Sequence, residues 1–244
     1  MIRRLAELLS EQIELPADAG DLRISGVTLD SRAVGPGMLF AALPGTKVDG
    51  AMFAAQAVEA GAVAVLAAAD ADLDHLDVPV IKMDNPRRGL AIAAARFFGR
   101  QPEHVVAVTG TSGKTSVTVF TRQIWEAAGL EAASLGTIGL VGPDGESKGS
   151  LTTPDQVSLH ASLAELADEG VTHLALEASS HGLDQNRLDG VHFSAAAFTN
   201  LSRDHLDYHA SLEDYFAAKL RLFRELIGDD GTIVFDADEP TSSG

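Results

Sequence analysis

The stretch His104-Val-Val-Ala-Val-Thr-Gly-Thr-Ser-Gly-Lys-Thr115 constrains the fold more than any other part of the chain. An apolar run, a glycine turn and Lys-Thr follow in the order strand, loop, helix. Glycines let backbone N–H groups approach a phosphate closely, and the helix N-terminus adds partial positive charge. On this reading the ligand is a nucleotide triphosphate: Lys114 reaches its β- and γ-phosphates and the Thr115 hydroxyl binds Mg²⁺. Val117, Phe120, Ile124 and Ala127 recur at helical spacing, and Gly129 stands where a C-cap belongs. The general pattern carries a further glycine where this chain has Val108, so the loop is a shorter variant built on Gly110 and Gly113.

At 244 residues the chain has room for two domains. Hydrophobic residues make up 45% and aromatic ones only 5%, so the cores must be largely Ala, Val and Leu. With no cysteine, disulfides, thiolate zinc sites and a cysteine nucleophile are excluded, and a reducing, cytoplasmic setting is expected. A net charge of −17 argues against nucleic-acid binding, which rests on phosphate neutralisation. Any anionic ligand must be held by local features against that field. Glu7 and Glu11 break up the apolar start, which reads as an amphipathic helix and not a signal peptide. No stretch is long and apolar enough to be expected to span a bilayer.

The pattern of elements predicts an α/β protein. Strands are expected near residues 22–24, 38–43, 62–66 and 78–81, with a helix over 51–60. Together these predict a small α/β domain over residues 1–86, ended by Pro86. A helix over 87–98 opens the second domain, residues 87–244, which continues with the loop strand and further strands at 172–177, 194–199 and 232–235. Strands alternating with helices imply a mostly parallel sheet with ligands at its carboxyl edge. Thr115, Glu177 and Asn200 fall at or just past such ends. The last strand stops where a doubly wound sheet would continue, so a fragment is expected.

Glu177 ends an apolar strand and suits a second Mg²⁺ contact, or simply a solvent-facing strand end. His205 and His209 have the i, i+4 spacing of a helical metal pair, with surface polar residues or local caps as the alternative. Lys219 falls on an apolar stripe with Leu212, Phe216, Phe223 and Leu226. It can snorkel to water; buried, its pKa would fall, and a neutral amine can take up CO₂ as a carbamate that binds Mg²⁺. Arg187 is a candidate clamp for carboxylate or phosphate. Ser179 with His181 makes a poor hydrolytic pair, because no oxyanion hole is evident.

The variant loop Thr109-Gly-Thr-Ser-Gly-Lys-Thr-Ser116 resembles that of the Mur ligase family, ATP-dependent amide ligases that build peptidoglycan precursors. Thr28-Leu-Asp-Ser-Arg32, Leu151-Thr-Thr-Pro154, Glu177-Ala-Ser-Ser-His181, Gln185-Asn-Arg187, the run from Phe198 to His209 and Ala217-Ala-Lys219 extend the likeness, in order, over nearly the whole chain. They are most similar to members that add the third amino acid. The resemblance implies a UDP-binding N-terminal domain followed by a phosphate-loop central domain. Leu29, Ser31, Thr46, Lys47 and Val48 would hold the UDP end of the substrate. ATP would lie along Gly110, Thr111, Ser112, Gly113, Lys114, Thr115 and Ser116. Thr152, Thr153, Ser179, Gln185 and Arg187 would hold UDP-N-acetylmuramoyl-dipeptide. Mg²⁺ would be served by Thr115, Glu177, His205 and a carbamylated Lys219, with Lys114, Lys219 and His205 in catalytic roles.

The implied reaction joins a diamino acid, meso-diaminopimelate first among the choices, to the dipeptide through an acyl phosphate, in a monomer. Full family members carry a third domain that supplies the amino-acid site; without it the chain is expected not to complete the ligation. Asp84-Asn-Pro-Arg87 spells a family motif for diaminopimelate selection but lies before the loop, so it reads as coincidence at a domain boundary. Two alternatives stand beside the ligase: a folylpolyglutamate-type ligase, sharing loop and lysine but not the need for the Leu29–Ser31 region, and a non-catalytic UDP-peptide or ATP-binding module. A guanine-nucleotide switch would carry an Asn-Lys-x-Asp element, and the sequence has none.

Overall fold

The computed structural model describes residues 1–9, 11–45, 48–143, 145–147, 151–205 and 207–236. The chain divides into two compact units, Met1–Gly99 and Arg100–Gly244.

The first unit runs β1 (Arg3–Arg4), α1 (Leu5–Leu9), β2 (Arg23–Ile24), β3 (Gly26–Thr28), β4 (Met38–Ala42), α2 (Ala54–Glu59), β5 (Ala62–Ala68), β6 (Val80–Met83) and α3 (Pro86–Phe98). Strands β3 to β6 form a parallel sheet in sequence order, and β1 pairs antiparallel with β2. The expected N-terminal helix buries Leu5, Leu8 and Leu9. Over 51–60 the helix is composite, a 3₁₀ turn at Gly50–Phe53 leading into α2. The compact unit ends after Gly99 and not at Pro86, because α3 packs on α1, β3, β5 and β6 and buries Leu90, Ala91, Ala94 and Phe97 there. Asp84-Asn-Pro-Arg87 is the start of that helix. The Asn85 side chain accepts from the Arg88 amide at 3.0 Å and Pro86 takes the first turn, a pairing that suits both residues.

The second unit runs β7 (His104–Thr109), α4 (Lys114–Ala127), β8 (Ala132–Gly136), β9 (Gly139–Gly142), β10 (Gly145–Ser147), α5 (Gln156–Asp168), β11 (His173–Glu177), α6 (Ser180–Asp184), β12 (Phe193–Phe198), α7 (Leu212–Arg221) and β13 (Ile227–Phe235). The sheet order is β10-β9-β8-β11-β7-β12-β13. The five strands from β8 to β13 in that order are parallel, and the β9–β10 hairpin is added antiparallel. Val105, Leu135, Leu159, Leu163, Leu174 and Leu176 anchor its core. Among the described residues no helix is long and apolar enough to cross a membrane.

Two expected stripes turn out differently. On α4, Phe120 is 60% and Ile124 68% exposed, Val117 is exposed with them, and the one fully buried residue is Thr118. Lys114 folds back onto the loop, and Thr118 lies on the same side of the helix. At 100° per residue Val117, Phe120 and Ile124 lie about 100° or more around the helix from the buried Thr118. On α7 the buried set is Tyr215, Ala218 and Lys219, continued by Leu222, while Leu212 is exposed. Lys219 lies where both sets overlap.

His160 on α5 is buried, with Nε2 3.0 Å from the Asp189 carbonyl. Burial pushes its imidazole down to about 4. A base whose pKa is lower in the fold than in the open chain loses stability as pH falls. The loss starts near pH 6.5, the unfolded value, and is complete near pH 4, amounting to about 3 kcal/mol. Urea unfolding at a series of pH values is expected to show this slope, and His160→Gln, which keeps a donor for Asp189, is expected to flatten it.

Candidate functional site

The carboxyl ends of β7, β8 and β11 meet in one place, because the three strands are adjacent and parallel. Between β7 and α4 the loop turns through Gly110, at φ +134°, and Gly113, at φ +86°. A Cβ on Gly110 would lie 2.0 Å from Thr199 Oγ1 and 3.0 Å from the Asn200 backbone, so only glycine fits. The segment after β12 braces the loop. Asn200 Oδ1 accepts from the Ser112 amide at 3.0 Å, and the Thr199 hydroxyl donates to the Ser112 carbonyl at 2.7 Å. Asn200, noted from its place past a strand end, is therefore a structural partner of the loop.

Two lysines converge on one carbonyl. Lys114 Nζ donates to Gly110 O at 2.9 Å and Thr111 O at 2.8 Å, and Lys219 Nζ donates to Gly110 O at 2.8 Å. Lys219 is 1% exposed and sits 4.3 Å above the Tyr215 ring centroid. Burial, aided by the Lys114 charge, holds its amine down at about 7. Burial also lowers Lys114, against the opposing pull of Glu177 and Asp204.

Glu177 closes β11 and is 2% exposed. Its Oε1 accepts from the Thr137 amide at 2.8 Å and its Oε2 from the Thr137 hydroxyl at 3.2 Å. Thr153 donates to the Glu177 carbonyl at 2.9 Å and meets Ser179 Oγ at 3.0 Å. Ser179 caps α6. Arg187 spans Thr153 O at 2.6 Å and Gln185 Oε1 at 2.7 Å, and Gln185 reaches Tyr208.

A cavity of about 380 Å³ is lined by Thr111, Gly113, Lys114 and Thr115 from the loop, by Thr152, Thr153, Glu177, Ser179 and Arg187, and by His205 and Lys219. Eleven residues named from the sequence as site candidates thus line one cavity. Gly110, Ser112, Ser116 and Gln185 do not line it; the first two shape the loop and Gln185 holds Arg187. His205 has φ +52°, an uncommon backbone for a residue with a side chain. His205 and His209 lie in none of the described helices, and the His209 amide donates to the His205 carbonyl at 2.9 Å. His209 is buried against Tyr208 and Tyr215. Thr137, Ser180 and His181 line the cavity without having been anticipated, apart from the mention of His181 as a poor hydrolytic partner.

In the first unit Leu29 and Val48 are exposed and Ser31 opens a 3₁₀ turn capped by Asp30. Thr46 and Lys47 lie outside the described residues.

The model of the Mur ligase middle domain matches residues 108–243, and that of the Mur ligase family catalytic domain matches residues 23–98. The chain belongs to the Mur ligase family. Among curated relatives, the UDP-N-acetylmuramoyl-L-alanyl-D-glutamate–2,6-diaminopimelate ligase of Brucella melitensis biotype 1 is 58% identical over 228 residues, which is 93% of this chain and 47% of the relative. Its counterpart in Caulobacter vibrioides is 53% identical over 244 residues, or 98% and 49%. A solved structure of a ligase of that name superposes with a TM-score of 0.84 at 31% identity, covering 99% of this chain and 48% of the other. This Mur ligase chain spans about half the length of the curated relatives it matches.

The donor set in the cavity fits Mg²⁺. The ion is a hard cation that takes oxygen ligands and keeps several waters, and the Thr115 hydroxyl and the Glu177 carboxylate are oxygen donors beside a phosphate loop. Among the described residues no group of three acidic, His or Cys side chains could hold a metal by itself.

Proposed function

We propose that this chain is the substrate- and ATP-binding part of an amide ligase that adds a diamino acid, meso-diaminopimelate, to UDP-N-acetylmuramoyl-L-alanyl-D-glutamate. The observation that carries the reading is the single cavity in which loop, Glu177 and Lys219 face Thr152, Thr153 and Arg187. Triphosphate-holding groups and carboxylate-holding groups share one wall-to-wall space, as transfer of a phosphoryl group to a carboxylate requires.

Loop amides from Gly110 to Ser116 and the Lys114 ammonium hold the phosphates. Arg187, with Thr152, Thr153, Ser179 and Gln185, orients the terminal carboxylate of the dipeptide. That carboxylate oxygen attacks the γ-phosphorus as the bond to ADP breaks. The amine of the diamino acid then attacks the acyl carbon and phosphate leaves. Thr115, Glu177 and His205 would hold Mg²⁺, which would supply positive charge against the transferring group. The Lys219 amine, held near neutrality by burial, adds to CO₂ and releases one proton, and the resulting carbamate gives the cavity a second anion. Leu29, Ser31 and the 46–48 stretch receive the UDP end.

Calorimetric titration with Mg·ATP and with the UDP-dipeptide, each alone, tests the reading. Binding of both supports it. Binding of ATP without the UDP-dipeptide favours the polyglutamate-type alternative, and failure of both overturns the proposal.

A further inference from the structure

We propose that Thr137 is a positioning residue that couples the metal-side carboxylate of Glu177 to the peptide-side hydroxyl of Thr152. This rests on the ligase reading above for the roles of those two partners.

Thr137 and Ile138 form the two-residue turn between β8 and β9, where Gly136 pairs with Gly139. At this turn the Thr137 N–H and O–H both face Glu177. They engage the two oxygens of Glu177 separately, at 2.8 Å and 3.2 Å. The carboxylate is also pressed against Gly136, where a Cβ would lie 2.1 Å from Oε1. Its plane is thus set by one residue and one missing side chain.

The Thr137 hydroxyl has a further neighbour, Thr152 Oγ1 at 3.1 Å. A carboxylate only accepts, and a hydroxyl carries one proton. With the Thr137 proton on Glu177, the Thr152 proton must go to Thr137. Thr152 therefore meets a ligand with its lone pairs, and the substrate group it selects is a donor, such as a peptide N–H. A group that orients a metal ligand from behind is worth 10- to 100-fold in metal affinity as an order of magnitude.

The test is the affinity for a non-hydrolysable ATP analogue, with saturating Mg²⁺ and with EDTA, in the chain itself and in Thr137→Val and Thr137→Ser. Thr137 is exposed, so neither change disturbs the core. In the unaltered chain Mg²⁺ is expected to strengthen binding. Thr137→Val is expected to lose about 10-fold or more of that gain, with EDTA affinity unchanged, and Thr137→Ser to restore it. An unaltered gain in Thr137→Val overturns the inference alone. Absence of any Mg²⁺ gain in the unaltered chain overturns the ligase reading with it. For the UDP-dipeptide, Thr137→Val and Thr152→Val are expected to be non-additive; additivity counts against the coupling.

Discussion

Lys219→Met is expected to reduce phosphate release by on the order of 10³-fold, the scale for losing a charge-stabilising group in a closed site, while raising the melting temperature. The two effects have one cause. The amine is buried on α7 against Tyr215, where a charge is costly and a thioether of similar reach is not. Gly110 O keeps Lys114 as a donor, so the substitution leaves no unpaired carbonyl. Turnover suffers because methionine can neither carry charge nor take up CO₂. Thermal melting of the chain and a phosphate-release assay on the ligase proposed above check both halves. A variant that melts lower and turns over normally would show that the lysine serves packing alone.

Gly110→Ala is expected to destabilise the second unit by about 3 kcal/mol or more and to weaken nucleotide binding at least about 100-fold, roughly 3 kcal/mol. The new methyl would collide with Thr199 Oγ1 and with the Asn200 backbone. It would push apart the pairings that brace the loop, Thr199 on Ser112 and the Thr111 amide on the Asn200 carbonyl at 2.9 Å. Gly113→Ala is the control. Its site has φ +86° with nothing within 4 Å of the added carbon, so only the backbone cost of about 1 kcal/mol applies. Urea unfolding and nucleotide titration of both variants distinguish them. Equal losses would mean that backbone conformation alone, and not the collision, sets the requirement for glycine.

The loop and the strand ends were legible in the sequence because apolar runs and glycines report backbone directly. For Glu177 the sequence left a ligand contact and a solvent-facing strand end open, and its burial removes the second. Three things were hidden. The rotation of α4 goes with its packing on β8 and β11, a tertiary fact that helical periodicity does not contain. The buried face of α7 centres on Tyr215, Ala218 and Leu222, which a search for large aliphatic spacing passes over. Thr137 sits in a hairpin turn where a threonine looks ordinary; its partner, Glu177, is distant in sequence. A signal was available: Gly136 directly before it, and Gly139 two residues beyond it, mark a tight turn at a strand's carboxyl end, the edge where ligands bind.

The sheet order also has a temporal meaning. Strand β7 carries the loop, yet its two neighbours are β11 and β12, and the first register pair joins His104 to His173. A ribosome must therefore reach β11 before either edge of β7 finds a companion. At about 5–20 residues per second that is an interval of several seconds. During it an apolar ribbon, Val105-Val-Ala-Val108, waits with both margins open, the circumstance in which nascent chains need shelter from one another.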